Sequence, residues 1–104
     1  MTKVLIADRN YLSRLGTEIL IRSLNGFELL PSANVDFADL NKKLNDTNPD
    51  ILILDFFSLN LSASNIKSLS RKRNNLKILA ITDALSKAEM NSALNSGIKS
   101  YLLK

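Results

Sequence analysis

Four large aliphatic residues stand in succession at Ile51-Leu52-Ile53-Leu54, opened by Pro49-Asp50 and closed by Asp55. A run without polar alternation, bounded by a breaker and an acid, reads as a central strand buried on both faces. Asp55 then lies at the carboxyl end of that strand, where open parallel sheets place their chemistry. Two more runs end in the same manner: Val4 to Ala7 in Asp8-Arg9, and Leu76 to Ile81 in Thr82-Asp83. If the three strands run parallel, Asp8, Asp55 and Thr82 converge at one rim of the sheet.

The remaining elements follow from periodicity and punctuation. Lys3 to Ala7 is a first strand, and Asn10 is placed to cap a helix from Tyr11 to Leu24. Its apolar stripe falls at Leu12, Leu15, Ile19, Leu20 and Leu24, widened by Ile21, and Gly26 stops it. Phe27 to Leu30 is a second strand. Asp36 caps a second helix with Phe37, Leu40 and Leu44 on one face, and Thr47-Asn48-Pro49 breaks it. After the central strand and an apolar loop at residues 56–61, Ser62 to Asn65 offers caps for a third helix ending near Arg73. Ser86-Lys87-Ala88-Glu89 is a capping box for a fourth helix closed by Gly97, and Ser100 to Lys104 is a fifth strand. Strands alternating with short helices imply right-handed crossovers, hence one α/β domain over residues 1–104 with a parallel sheet and helices on both faces. A further helix would be needed to finish covering the face shared by the first helix. Its absence leaves that helix's apolar side bare, and self-association as a homodimer is expected.

The 104-residue chain contains no Cys and no His. Disulfides, thiolate metal sites and a cysteine nucleophile are therefore excluded, as are a histidine base, a histidine metal ligand and a phosphohistidine donor within the chain. No apolar run approaches the roughly 20 residues of a membrane span, so the expected location is the cytoplasm. Net charge is +4, with a basic knot at Arg71-Lys72-Arg73 and Lys77 beyond it. That knot reads as the solvated end of a helix, where cations complement the macrodipole, in preference to a nucleic-acid patch, because no aromatics interleave it.

Two carboxylates, a hydroxyl and an amine (Asp8, Asp55, Thr82, Lys104) stand at strand ends. Carboxylates at a sheet edge are hard oxygen ligands suited to Mg²⁺. A carboxylate can also accept a phosphoryl group as nucleophile, while a lysine and a hydroxyl stabilise phosphoryl oxygens. Each has a plainer reading: an acid as helix cap, Thr82 as a β-branched strand end, Lys104 as a terminal lysine. Four such groups at consistent topological positions favour the shared site.

The whole ordering resembles the response-regulator receiver family, the CheY-like fold. Val4-Leu5-Ile6-Ala7-Asp8-Arg9-Asn10-Tyr11-Leu12, with Arg14 and Gly16, looks like the start of NarL/LuxR-type receivers, and Gly97-Ile98-Lys99-Ser100-Tyr101-Leu102-Leu103-Lys104 like their last strand. The resemblance implies a flavodoxin/CheY-like doubly wound five-stranded sheet in the order 2-1-3-4-5, with the last helix absent. It implies a role in two-component phosphorelay signal transduction: Asp55 accepts a phosphoryl group from a histidine kinase, Asp8 and Asp55 hold Mg²⁺, Thr82 meets the phosphoryl group, Lys104 pairs with it, and Tyr101 follows Thr82 as the switch. Transcriptional control would run through a DNA-binding domain beyond these residues.

The departures are as specific. The second acid of the family's pair is Arg9, and Ser58-Leu59 replaces the usual Met-Pro behind Phe56-Phe57. A unit charge roughly 5 Å from a divalent ion is worth several kcal/mol at an effective dielectric of about 20. Arg9 is therefore expected to weaken Mg²⁺ binding, or to pair with Asp55 in a metal-free pocket. The competing reading is an atypical pseudo-receiver, a dimerisation or partner-binding module that works without phosphorylation. Haloacid-dehalogenase-type and flavodoxin-like enzymes fit less well: position 10 is Asn, and no Ser/Thr-rich phosphate loop follows the first strand. No turnover enzyme is expected.

Overall fold

A computed structural model of the chain describes residues 1–31, 36–55, 63–71, 73, 75–82 and 100–103. The elements are β1 (Thr2–Ala7), α1 (Tyr11–Ser23), β2 (Phe27–Leu29), α2 (Phe37–Thr47), β3 (Ile51–Asp55), α3 (Ala63–Arg71), β4 (Lys77–Thr82) and β5 (Ser100–Leu103). The loop at 56–61 and the helix expected from Ser86 to Gly97 lie outside the described residues.

All strand pairings are parallel, and the sheet order is β2-β1-β3-β4-β5, as the family resemblance implies. The chain steps from β1 to β2 in one direction, then crosses back over β1 to β3 and on to β4. Right-handed crossovers on these opposite courses put α1 on one face and α2 and α3 on the other. The buried side chains divide accordingly. Leu5, Ala7, Leu52, Leu54, Leu76, Ile78 and Ala80 pack against Leu40 and Leu44 of α2 and Leu69 of α3. Val4, Ile6 and Ile53 pack with Ile21 of α1, beside the half-buried Phe27, Leu29, Ile51, Leu79 and Ile81. Leu52, Ile53 and Leu54 are all buried, so β3 is covered on both sides, as its unbroken aliphatic run requires. Each such side chain contributes about 1.5–3 kcal/mol on burial. Leu54→Ala would leave a cavity beneath α2 and α3.

Local capping explains the helix boundaries. Asn10 Oδ1 accepts from the Ser13 N–H at 3.0 Å, and Asp36 Oδ1 accepts from the Asp39 N–H at 2.7 Å. Asn48 ends α2 in the left-handed region at φ 48°, which Asn tolerates better than most residues. Pro49 then cannot continue the helix. Gly26 takes φ 89° in the turn into β2, and its carbonyl accepts from the Thr2 N–H at 2.9 Å.

The stripe of α1 differs from the sequence reading. Ile21, counted there as a widening residue, is the buried anchor, whereas Leu12, Ile19, Leu20 and Leu24 are exposed. Among the described elements the helix packs chiefly on β1 and β2, through its sheet-facing edge. Leu12, Gly16 and Leu20 form an i, i+4 ridge on the exposed side, and Leu24 follows at the C-cap.

The basic knot is also divided. Arg73 turns inward: its Nη1 donates to the Leu69 carbonyl at 3.2 Å, and its Nη2 donates to Asn41 Oδ1 at 2.9 Å and Asn45 Oδ1 at 2.6 Å. The guanidinium thus ties the end of α3 to α2, and its partial burial lowers its pKa below the ordinary arginine value.

Candidate acidic site at the sheet rim

Site geometry follows from register. Ala7 pairs with Leu54 across β1 and β3, so Asp8 and Asp55, one residue further along each chain, stand level at adjacent strand ends. β1 and β3 flank the point where the chain reverses its course across the sheet, which opens a crevice beyond their carboxyl ends. Both acids are buried, at 3% and 5% exposure. Asp8 Oδ1 accepts from the Asn10 N–H at 2.9 Å, so the carboxylate closes a tight turn into α1 and its orientation is set. The Asp8 carbonyl accepts from Arg14 Nη1 at 3.4 Å, and that guanidinium also lies over the Tyr11 ring, 5.5 Å from its centroid. Arg14 therefore braces the backbone under the acid, a role that no spacing rule in the sequence signals.

The other strand-end residues are located by backbone. Asp55 pairs with Ile81, so Thr82, the last residue of β4, stands one step beyond it on the next strand. Thr82 pairs with Leu103, and Tyr101 pairs with Ala80, two rows back from Thr82 along β5. Lys104 lies outside the described residues. Arg9, beside Asp8, is exposed while its neighbour is buried. Water screens an exposed guanidinium more than a buried one.

Among the described residues no group of three or more His, Cys, Asp or Glu side chains is assembled for a metal. Two level carboxylates remain, and Mg²⁺ is commonly held by one or two carboxylates while keeping several waters. The donor set at Asp8 and Asp55 fits such an ion.

This sheet order, with two buried acids level at its switch point, decides the fold. It is the fold of response-regulator receiver domains. A DNA-binding response regulator of the LuxR family from Staphylococcus aureus superposes with a TM-score of 0.84 at 22% identity, over 99% of this chain and 86% of that one. The isolated receiver domain of RcsB from Salmonella enterica serovar Typhimurium gives 0.85 at 20% identity, over 99% of this chain and 77% of that one. In sequence, the chain is 29% identical over 103 residues to a nitrate/nitrite response regulator homolog from Haemophilus influenzae, covering 98% of this chain and 49% of that protein. The chain thus spans about half the length of the curated relative it matches. No protein-family model matches. Among the described residues, no helix of this receiver fold is long and apolar enough to cross a membrane.

Proposed function

We propose that the chain is the receiver domain of a two-component response regulator, with Asp55 as the residue that accepts a phosphoryl group from a histidine kinase. The observation that carries this reading is the level pair of buried carboxylates at the switch point of a receiver sheet. The chain has no His, so a phosphohistidine donor must come from another protein. In the transfer, an Asp55 carboxylate oxygen attacks phosphorus, the phosphorus–nitrogen bond of the donor breaks, and the imidazole leaves with that electron pair as an acyl phosphate forms. Asp8, fixed by the Asn10 N–H, would hold Mg²⁺ together with Asp55. When bound, the ion neutralises charge on the phosphoryl oxygens. Thr82, one step beyond Asp55 on the adjoining strand, is the hydroxyl proposed to meet the phosphoryl group, with Lys104 as its cation and Tyr101 as the switch aromatic.

The downstream proposals are a cytoplasmic location, transcriptional control through a DNA-binding domain outside these residues, and homodimerisation. The last is supported by the exposed apolar residues Leu12, Ile19 and Leu20 of α1 and Leu24 at its C-cap. One observation favours a second reading. Arg9 occupies the position of the family's second acid, which suits a pseudo-receiver that docks partners without being phosphorylated.

Incubation with acetyl phosphate and excess Mg²⁺, followed by intact-mass measurement, separates the two. The phosphorylated receiver gains one phosphoryl group, which is lost in Asp55→Asn. A chain that gains none, or gains it equally in Asp55→Asn, supports the pseudo-receiver and ends the first reading. For the dimer, light scattering of Leu12→Glu/Leu20→Glu is expected to show a monomer where the wild type associates.

A further inference from the structure

From Phe56 to Thr82 the chain carries Lys67, Arg71, Lys72, Arg73 and Lys77 and no acidic residue. The fold gives these cations different surroundings. Arg73 is consumed in tying α3 to α2. Lys77 opens β4, where its N–H donates to the Asp50 carbonyl at 3.0 Å, at the amino end of the sheet away from the rim. Lys67 and Arg71 instead face outward from α3 with Ser64 and Ser68, and these four side chains line one open groove.

Their positions are i, i+3, i+4 and i+7, which places all four on one strip of the helix. Leu69 occupies the opposite side and is fully buried against the sheet and α2. The strip therefore offers an ammonium, a guanidinium and two hydroxyls, every one able to donate a hydrogen bond. The first turn of α3 holds no acid, so the positive end of the helix dipole adds to the same field near Ser64. Lysine, arginine and serine are the side chains that contact phosphate oxygens in nucleic-acid complexes. An open strip, as distinct from an enclosed cavity, accommodates a polymer lying across it. The chain's net charge of +4 strengthens the attraction to a polyanion.

We propose that the Ser64–Lys67–Ser68–Arg71 face of α3 docks the phosphate backbone of a nucleic acid, independently of sequence and separately from the acidic rim. With two cations engaged, the slope of log K against log salt is steeper by about 1.8 than in a chain lacking them, at about 0.9 per neutralised phosphate of duplex DNA.

The test is fluorescence anisotropy of a labelled duplex of arbitrary sequence, titrated with the full chain from low to physiological salt. Lys67→Gln/Arg71→Gln is expected to weaken binding about tenfold at low salt and to flatten the slope by about 1.8. Arg71→Gln alone should flatten it by about half as much, which keeps the proposal open to refutation if the double variant does not fold. Lys67→Arg/Arg71→Lys should keep the slope, while Arg22→Gln, an exposed cation at the end of α1, should leave it unchanged. Equal slopes in the wild type and the double variant overturn the proposal, as does an equal loss in Arg22→Gln. Poly-glutamate displacing the chain as effectively as unlabelled duplex at matched charge would also overturn it and assign the face to an acidic protein.

Discussion

Replacing Arg9 tests whether the acidic rim binds a cation, and the exposure of its guanidinium scales the expected effect. At roughly 5 Å and an effective dielectric of about 20, a guanidinium repels a divalent ion by about 6–7 kcal/mol. Arg9 is exposed, however, while Asp8 and Asp55 beside it are buried. Screened as in water, at an effective dielectric of about 80, the same expression falls to about 1–2 kcal/mol, and salt reduces it further. Arg9→Ala is therefore expected to tighten Mg²⁺ binding only about fivefold. Arg9→Asp reverses the charge and restores a third carboxylate, so a gain on the order of 100-fold is expected, from about 2 kcal/mol of charge reversal and about 1 kcal/mol from the added ligand. Isothermal titration with Mg²⁺ at constant ionic strength measures both. A gain of 100-fold in Arg9→Ala would show that the guanidinium reaches into the pocket and that the screening estimate is wrong. No gain in Arg9→Asp would show that the Asp8–Asp55 pair is not the nucleus of a metal site.

Other expectations concern the frame that holds this rim. Arg73→Met removes donors to Leu69, Asn41 and Asn45 at the junction of α2 and α3, and about 2 kcal/mol of stability should be lost after allowing for the solvent that partly replaces them, read as a lower urea midpoint. Arg73→Lys should recover only part of this, since an ammonium cannot fork between two helices. Gly26→Ala meets no steric neighbour but would force φ 89° on an L side chain, so a cost of about 1 kcal/mol or more in thermal unfolding is expected from backbone strain alone. Asn10→Ala removes the cap of α1 and should cost about 1 kcal/mol in the same assay.

Much of the fold was readable from local pattern. The unbroken aliphatics of β3, the cap residues Asn10 and Asp36, and the breaker Asn48-Pro49 each act through neighbours close in the chain, so their effects are written in short windows. The pattern also named the acids, because each closes an aliphatic run. Two features were misread or invisible. The Leu12–Leu24 stripe of α1 has helical period, yet period says only that one face is apolar and not that anything covers it; tertiary contact chose Ile21. Arg73 belonged to an ordinary basic knot until α2 was seen to bring Asn41 and Asn45, about 30 residues upstream in sequence, within reach of its guanidinium.

By itself, then, the sequence determined the described strands and helices and which carboxylates stand at strand ends, since these depend on residues a few positions apart. Only the tertiary structure decided that Asp8 and Asp55 stand level, that Arg9 is exposed beside them, and that Lys67 and Arg71 face outward while Arg73 does not. The reason is register and packing: a sheet row joins residues 47 positions apart, and no local preference encodes which row they share.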